Sequence, residues 1–77
     1  MTVDEGYILS NKFRRAIFNE LASGETNIDR IAKKHRIIQT IAKRTIEDFI
    51  SNGIVEKQGS KYVFTKEGEK LVQIIGK

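Results

Sequence analysis

Seventy-seven residues without a cysteine exclude a disulfide scaffold, and a lone His35 cannot assemble a zinc site. A chain this short buries only about 60% or slightly more of its unfolded surface, which leaves one small core and little room for a separate catalytic cavity, and makes a partner chain the natural extra source of stability. The net charge of +4 is unevenly placed: −2 over residues 1–9, nine bases against three acids from Ser10 to Ile46, and five lysines against five acids from Glu47 to Lys77.

The first apolar residues, Tyr7, Ile8 and Leu9, are too few to define a strand and are expected to pack on the core. A first helix is predicted from Ser10, which can cap the free N–H groups at its start, to just before Gly24. Phe13, Ala16, Ile17 and Leu21 form its buried stripe, with Phe18 at the edge and Lys12, Arg15 and Asn19 in water. A short second helix follows, capped by Thr26 or Asn27. In it Ile28, Ile31, Ala32 and His35 recur at helical spacing, and Arg30, Lys33 and Lys34 face outward. His35 is the one polar member of that stripe. The preferred reading is an imidazole at the core edge, one nitrogen bonded to backbone or water, rather than a pH switch or a ligand.

Arg36-Ile37-Ile38 leads into a third helix from about Gln39 to Asn52, which Gly53 stops. Ile38, Ala42, Ile46, Phe49 and Ile50 are assigned to its buried side, Ile41 and Thr45 to the flank, and Gln39, Thr40, Lys43, Arg44 and Glu47 to water. Next, Ile54 to Gln58 and Lys61 to Thr65 read as two strands around Gly59-Ser60, a pair suited to a type II′ turn. Pairing Gln58 with Lys61 sets Lys57 opposite Tyr62 and Val55 opposite Phe64, which puts Val55, Tyr62 and Phe64 on one core-closing face. Thr65 can then cap a last helix bearing Leu71, Val72, Ile74 and Ile75. Leu71 and Ile75 are expected to pack on their own chain, leaving Val72 and Ile74 for a second copy in a homodimer.

The fold class is therefore α+β, mainly α: a three-helix core, a two-stranded hairpin projecting as a wing, and a C-terminal helix, in a single domain over residues 1–77. A short helix, a tight turn and a third helix with a polar, basic N-terminal half suit a major groove about 12 Å wide. Positive charge concentrated in one contiguous part of the chain is the footprint of a phosphate-binding face, although lysine-rich helix faces are also commonly just solvated. With no signal-peptide pattern and no apolar run near the roughly 20 residues that cross a bilayer, the expectation is a cytoplasmic protein without membrane contact.

The segment IDRIAKKHRIIQTIAKRTIEDFISNGIVEKQGSKYVFTKEGEKL, from Ile28 to Leu71, resembles the winged helix-turn-helix domains of small bacterial and archaeal transcription regulators. The matches are Ile31-Ala32-Lys33-Lys34, Ile37 in the turn, Phe49 to Gly53-Ile54-Val55, and Tyr62-Val63-Phe64-Thr65 with Gly68. His35 and Arg36 stand where a leucine and a glycine are usual, and Ile38 and Ile41 make the start of the third helix unusually apolar. The resemblance implies double-stranded DNA as partner, with the third helix in the major groove and the wing on the backbone. Gln39, Thr40, Lys43 and Arg44 are then the recognition set, Gln39 suited to an adenine edge and Lys43 or Arg44 to guanine acceptors or phosphates. Lys33, Lys34 and Arg36, with Lys57 and Lys61 on the wing, are the implied phosphate contacts. Arg14 and Arg15 belong either to this face or to the solvated far side.

An enzyme is excluded on inventory, and no cofactor is expected: there is no cysteine nucleophile, histidine pair, phosphate-cradling Gly-rich motif or metal cluster. The rival reading is a winged helix that holds proteins together in a transcription or replication assembly. Its mark would be Ile38 and Ile41 exposed in an apolar patch. Binding of RNA or single strands has less support, because no aromatic residue sits among the basic positions as a stacking platform.

Overall fold

In the computed structural model, which describes residues 5–75, the chain runs α1 (Glu5–Leu9), α2 (Lys12–Ala22), α3 (Ile28–His35), α4 (Gln39–Ser51), β1 (Val55–Gln58), β2 (Lys61–Phe64) and α5 (Lys66–Ile75). Asp4 and Lys77, which enter the charge balance, and the extreme ends of the domain expected over 1–77 lie outside the described residues.

The stretch around Tyr7, Ile8 and Leu9, too short for its spacing to define an element, is a short helix, α1, and it packs on the core through Ile8, which is completely buried. Ser10 closes that helix, its hydroxyl donating to the Tyr7 carbonyl at 3.3 Å, and so does not cap the next. Asn11 caps α2 instead, its Oδ1 accepting from the amides of Phe13 at 2.8 Å and Arg14 at 3.1 Å. Asn27, one of the two candidates, caps α3 in the same way, accepting from Asp29 at 2.9 Å and Arg30 at 3.2 Å.

The core is centred on Phe18 and Phe49, packed among Ile8, Ile17, Ile31, Ile46 and Val55. Phe18 was expected at the edge of its stripe, yet it is fully buried, because α4 and the hairpin both converge on it. Its ring meets Phe49 edge-on at 6.5 Å between centroids and Phe64 at 5.1 Å. Burying a phenylalanine contributes about 1.5–3 kcal/mol. Phe13 and Ala16, assigned to the buried stripe, are only half-buried. On α4 the flank residue Thr45 is buried, its hydroxyl satisfied by the Ile41 carbonyl at 2.8 Å. Ile38 and Ile50, assigned to the buried side, are exposed, Ile38 to 67%. Ile38 is the N-cap at φ −59°, ψ 132°, so it sits beyond the end of the helix whose core face its spacing continues.

The hairpin has the expected register, Val55 with Phe64, Lys57 with Tyr62 and Gln58 with Lys61. Gly59 takes φ 64° and Ser60 keeps a negative φ, as a type II′ turn requires. The Tyr62 amide donates to the Thr26 carbonyl at 3.1 Å and ties β2 to the α2–α3 loop. Thr65 caps α5, accepting from the Gly68 amide at 3.2 Å while its own hydroxyl donates to the Gly53 carbonyl. On α5 Leu71 is buried and Val72 and Ile75 pack half-buried on the same core, so Val72 is covered by its own chain rather than left for a second copy. Ile74 alone of the four is exposed, to 59%. No helix among the described residues is long and apolar enough to cross a membrane.

Candidate nucleic-acid interface

The turn between α3 and α4 sets the geometry of the candidate site. Arg36 adopts the left-handed conformation, φ 55° and ψ 41°, that ends a helix. Its amide donates to the Lys33 carbonyl at 3.3 Å and the next amide, of Ile37, to the Ala32 carbonyl at 2.8 Å, satisfying two free carbonyls of α3. Ile37 is buried at this point, while Gln39, Thr40, Lys43 and Arg44 in the N-terminal turns of α4 are exposed.

Ala42, Thr45, Ile46 and Phe49 face the core, and this fixes what α4 turns outward. Gln39, Thr40, Lys43, Arg44 and Glu47 line one shallow polar depression of about 350 Å³, so the four recognition candidates share a face. The Gln39 carboxamide nitrogen donates to Asp29 Oδ1 at 3.3 Å, which leaves its oxygen and second hydrogen for another partner. Lys33, four residues on from Asp29, is exposed on the same flank of α3.

The other implied phosphate contacts are dispersed. Lys34 lies on the opposite flank of α3, its Nζ 3.0 Å from Glu20 Oε2 on α2. His35, placed by its spacing on the core edge with a backbone or water partner, instead brings Nε2 to 2.8 Å from the same carboxylate oxygen. Those contacts, the Lys34 hydrogen bond first, hold the Glu20 carboxyl below the ordinary range. Nothing in the local pattern signals Glu20, since its partners lie on another helix. On the wing Lys57 and Lys61 are both exposed, but the register places them on opposite faces. Lys57 shares the face of Tyr62, with Nζ 6.0 Å from the ring centroid. Arg14 is occupied structurally: its guanidinium stacks on Tyr7 at 4.2 Å and donates to the Tyr7 carbonyl at 3.1 Å, whereas Arg15 is exposed.

Among the described residues no His, Asp and Glu side chains gather in a metal-binding group. Comparison with curated proteins and with solved structures returned no match. The family model for the winged helix-turn-helix matches residues 7–77, from within α1 through the C-terminal helix. Members of that family are typically non-enzymatic DNA-binding domains. With five helices among its described residues, the helix-turn-helix pair α3–α4 and an antiparallel wing, the chain belongs to the winged helix-turn-helix family.

Proposed function

We propose that this chain is a small cytoplasmic transcription regulator without catalytic activity, which binds double-stranded DNA by inserting α4 in the major groove and resting the wing on the backbone. The observation that carries the reading is the shared outward face of Gln39, Thr40, Lys43 and Arg44 on the first turns of α4. An α-helix with its side chains is about 10–12 Å across and fits a groove about 12 Å wide. Glu47 at the far end of the depression repels phosphates, which favours entry by the N-terminal half. Gln39 and Thr40 supply hydrogen bonds to base edges, and Lys43 and Arg44 reach guanine or the flanking phosphates. Lys33 and Arg36 approach the backbone beside α4, Lys57 or Lys61 does so from the wing, and Lys34 contributes after exchanging Glu20 for phosphate. Two copies pair through α5, where Ile74 is exposed, and set two α4 helices on one side of the duplex.

A salt titration of binding to duplex DNA tests the reading. Affinity is expected to fall with a log–log slope of about −0.9 for each phosphate neutralised. Changing Lys43 and Arg44 together to alanine should weaken binding and flatten that slope, with helicity unchanged because both residues are exposed. A slope near zero, or unaltered affinity in the double variant, overturns it.

A further inference from the structure

Between the N-terminal half of α2 and the turn into α4 lies an open groove of about 410 Å³. Phe13 and Ala16 from α2, Ile38 at the N-cap of α4 and Ile41 in its first turn form an apolar floor, with Lys12 and Arg36 beside it and no carboxylate in its lining. The groove shares no residue with the polar depression on α4. Single exposed apolar residues are ordinary on a protein surface. Ile38 is different: it extends the half-buried Phe13 and Ile41 into one recess. Two departures from local stability also meet here. Ile38 leaves α4 without a side-chain cap, where Ser, Thr, Asn or Asp is strongly preferred. Arg36 holds a left-handed conformation suited to glycine.

We propose that this groove docks an acidic, amphipathic segment of a partner protein, its apolar side chains covering Ile38 and Phe13 and its carboxylates meeting Lys12 and Arg36. Charge complementarity selects this occupant. A nucleic-acid backbone has no apolar group to cover the floor, and a basic segment is repelled by Lys12 and Arg36. The chain's own exposed apolar helix, α5, balances Glu67 and Glu69 with Lys66 and Lys70 and so offers a second copy no net complement. Arg36 is also among the proposed phosphate contacts, so docking and DNA binding oppose one another.

The test titrates the isotope-labelled full chain with a synthetic peptide carrying two leucines and a phenylalanine at helical spacing among glutamates, and with a twin in which lysines replace the glutamates. The acidic peptide is expected to shift the amide resonances of Phe13, Ala16, Ile38 and Ile41 and to bind at least about tenfold more tightly than its twin. Ile38→Ser and Arg36→Glu should each weaken it by a similar factor; both residues are exposed, and an unchanged circular dichroism spectrum verifies the fold. Equal affinity for the twins, shifts confined to other residues, or groove amides that respond to duplex DNA and not to the acidic peptide would each overturn the assignment.

Discussion

Gly68, in the first turn of α5, packs so closely on the backbone carbonyl of Ile54 that a β-carbon there would collide with that oxygen and come within 2.8 Å of Phe64 Cδ1. Thr65 secures the same junction, its amide donating to the Ile54 carbonyl at 3.1 Å. Helix propensity alone favours alanine over glycine by about 1 kcal/mol. The clash involves backbone, which cannot swing aside as a flexible side chain does, and overpacking of this kind costs about 3 kcal/mol, so it wins. Gly68→Ala is therefore expected to lower the thermal midpoint by on the order of 10 °C. A circular dichroism melt measures this, and a raised midpoint would contradict the close packing of α5 on the hairpin.

Arg36 ends α3 with the same pair of bonds that ends α2 and α4. At the end of α2 they run from Gly24 to Leu21 at 3.1 Å and from Glu25 to Glu20 at 3.0 Å; after α4, from Gly53 to Ile50 and Ile54 to Phe49, both at 3.0 Å. The left-handed position is glycine in those two and arginine only at the entrance to α4. For an L-residue that conformation costs roughly 1–2 kcal/mol, against roughly 0.5–1 kcal/mol of extra chain entropy lost by glycine. Arg36→Gly should accordingly stabilise the fold by up to about 1 kcal/mol and raise the melting midpoint by several degrees, while lowering DNA affinity and reducing the magnitude of the salt slope by about 1. A variant neither more stable nor weaker on DNA would remove the reason given for an arginine at this position.

The contrast between the hairpin and the N-terminal third shows what the sequence can and cannot disclose. The register of Val55 against Phe64 was legible because a two-residue glycine turn and a period of two leave one pairing that buries Val55. α1 was not, since its five residues are too short for helical spacing to show, and Ser10 and Asn11 are adjacent residues of similar capping ability. Phe18 and Ile38 failed for a different reason: spacing gives an azimuth around a helix axis, and tertiary packing decides whether anything lies there. α4 and the hairpin cover Phe18, while Ile38 extends past the helix end. That Gln39, Thr40, Lys43 and Arg44 share one outward face of α4 was visible as the complement of its core stripe. The engagement of Lys34 and His35 by Glu20 was not, because that contact joins two helices.

Glu20 carries a pH dependence. The ammonium of Lys34 and the imidazole of His35 both reach its Oε2, and hydrogen bonding to Lys34 first, then to His35, holds the carboxyl below its ordinary value of 4.5. A group with a depressed folded pKa contributes stability that is complete above its unfolded pKa and is lost as pH falls through the folded value. The α2–α3 junction should therefore weaken below about pH 4.5. Glu20→Gln removes the titrating group, so its midpoint should lie below that of the parent chain near neutrality and approach it in acid. Melting midpoints recorded from neutral to acid pH decide the matter: two parallel curves would mean that the ionised carboxylate adds nothing.

Self-association through α5 has a narrower basis than the apolar content of that helix suggests, since Val72 and Ile75 are half-buried on their own core. What remains is Ile74, 59% exposed, and Leu9, 43% exposed, on helices that pack against each other. Removing the exposed part of Ile74 from water contributes about 1–2 kcal/mol per copy. Stable interfaces bury about 800 Å² on each partner, more than two side chains supply, so the expected dimer is weak in free solution. Duplex DNA is expected to strengthen it, because two copies bound on one side of a duplex with their α4 helices in successive major grooves about 34 Å apart would hold each other at high effective concentration. Sedimentation equilibrium at tens of micromolar should give an average mass above the 8.8 kDa of the monomer. Ile74→Glu puts a charge at the two-fold contact and should return the mass to 8.8 kDa with the melt unchanged, since the side chain contributes little to its own core. On a near-palindromic duplex the same variant should bind its two half-sites independently where the parent chain binds them cooperatively. A parent chain that remains monomeric at every concentration and fills the half-sites independently excludes α5 as the interface.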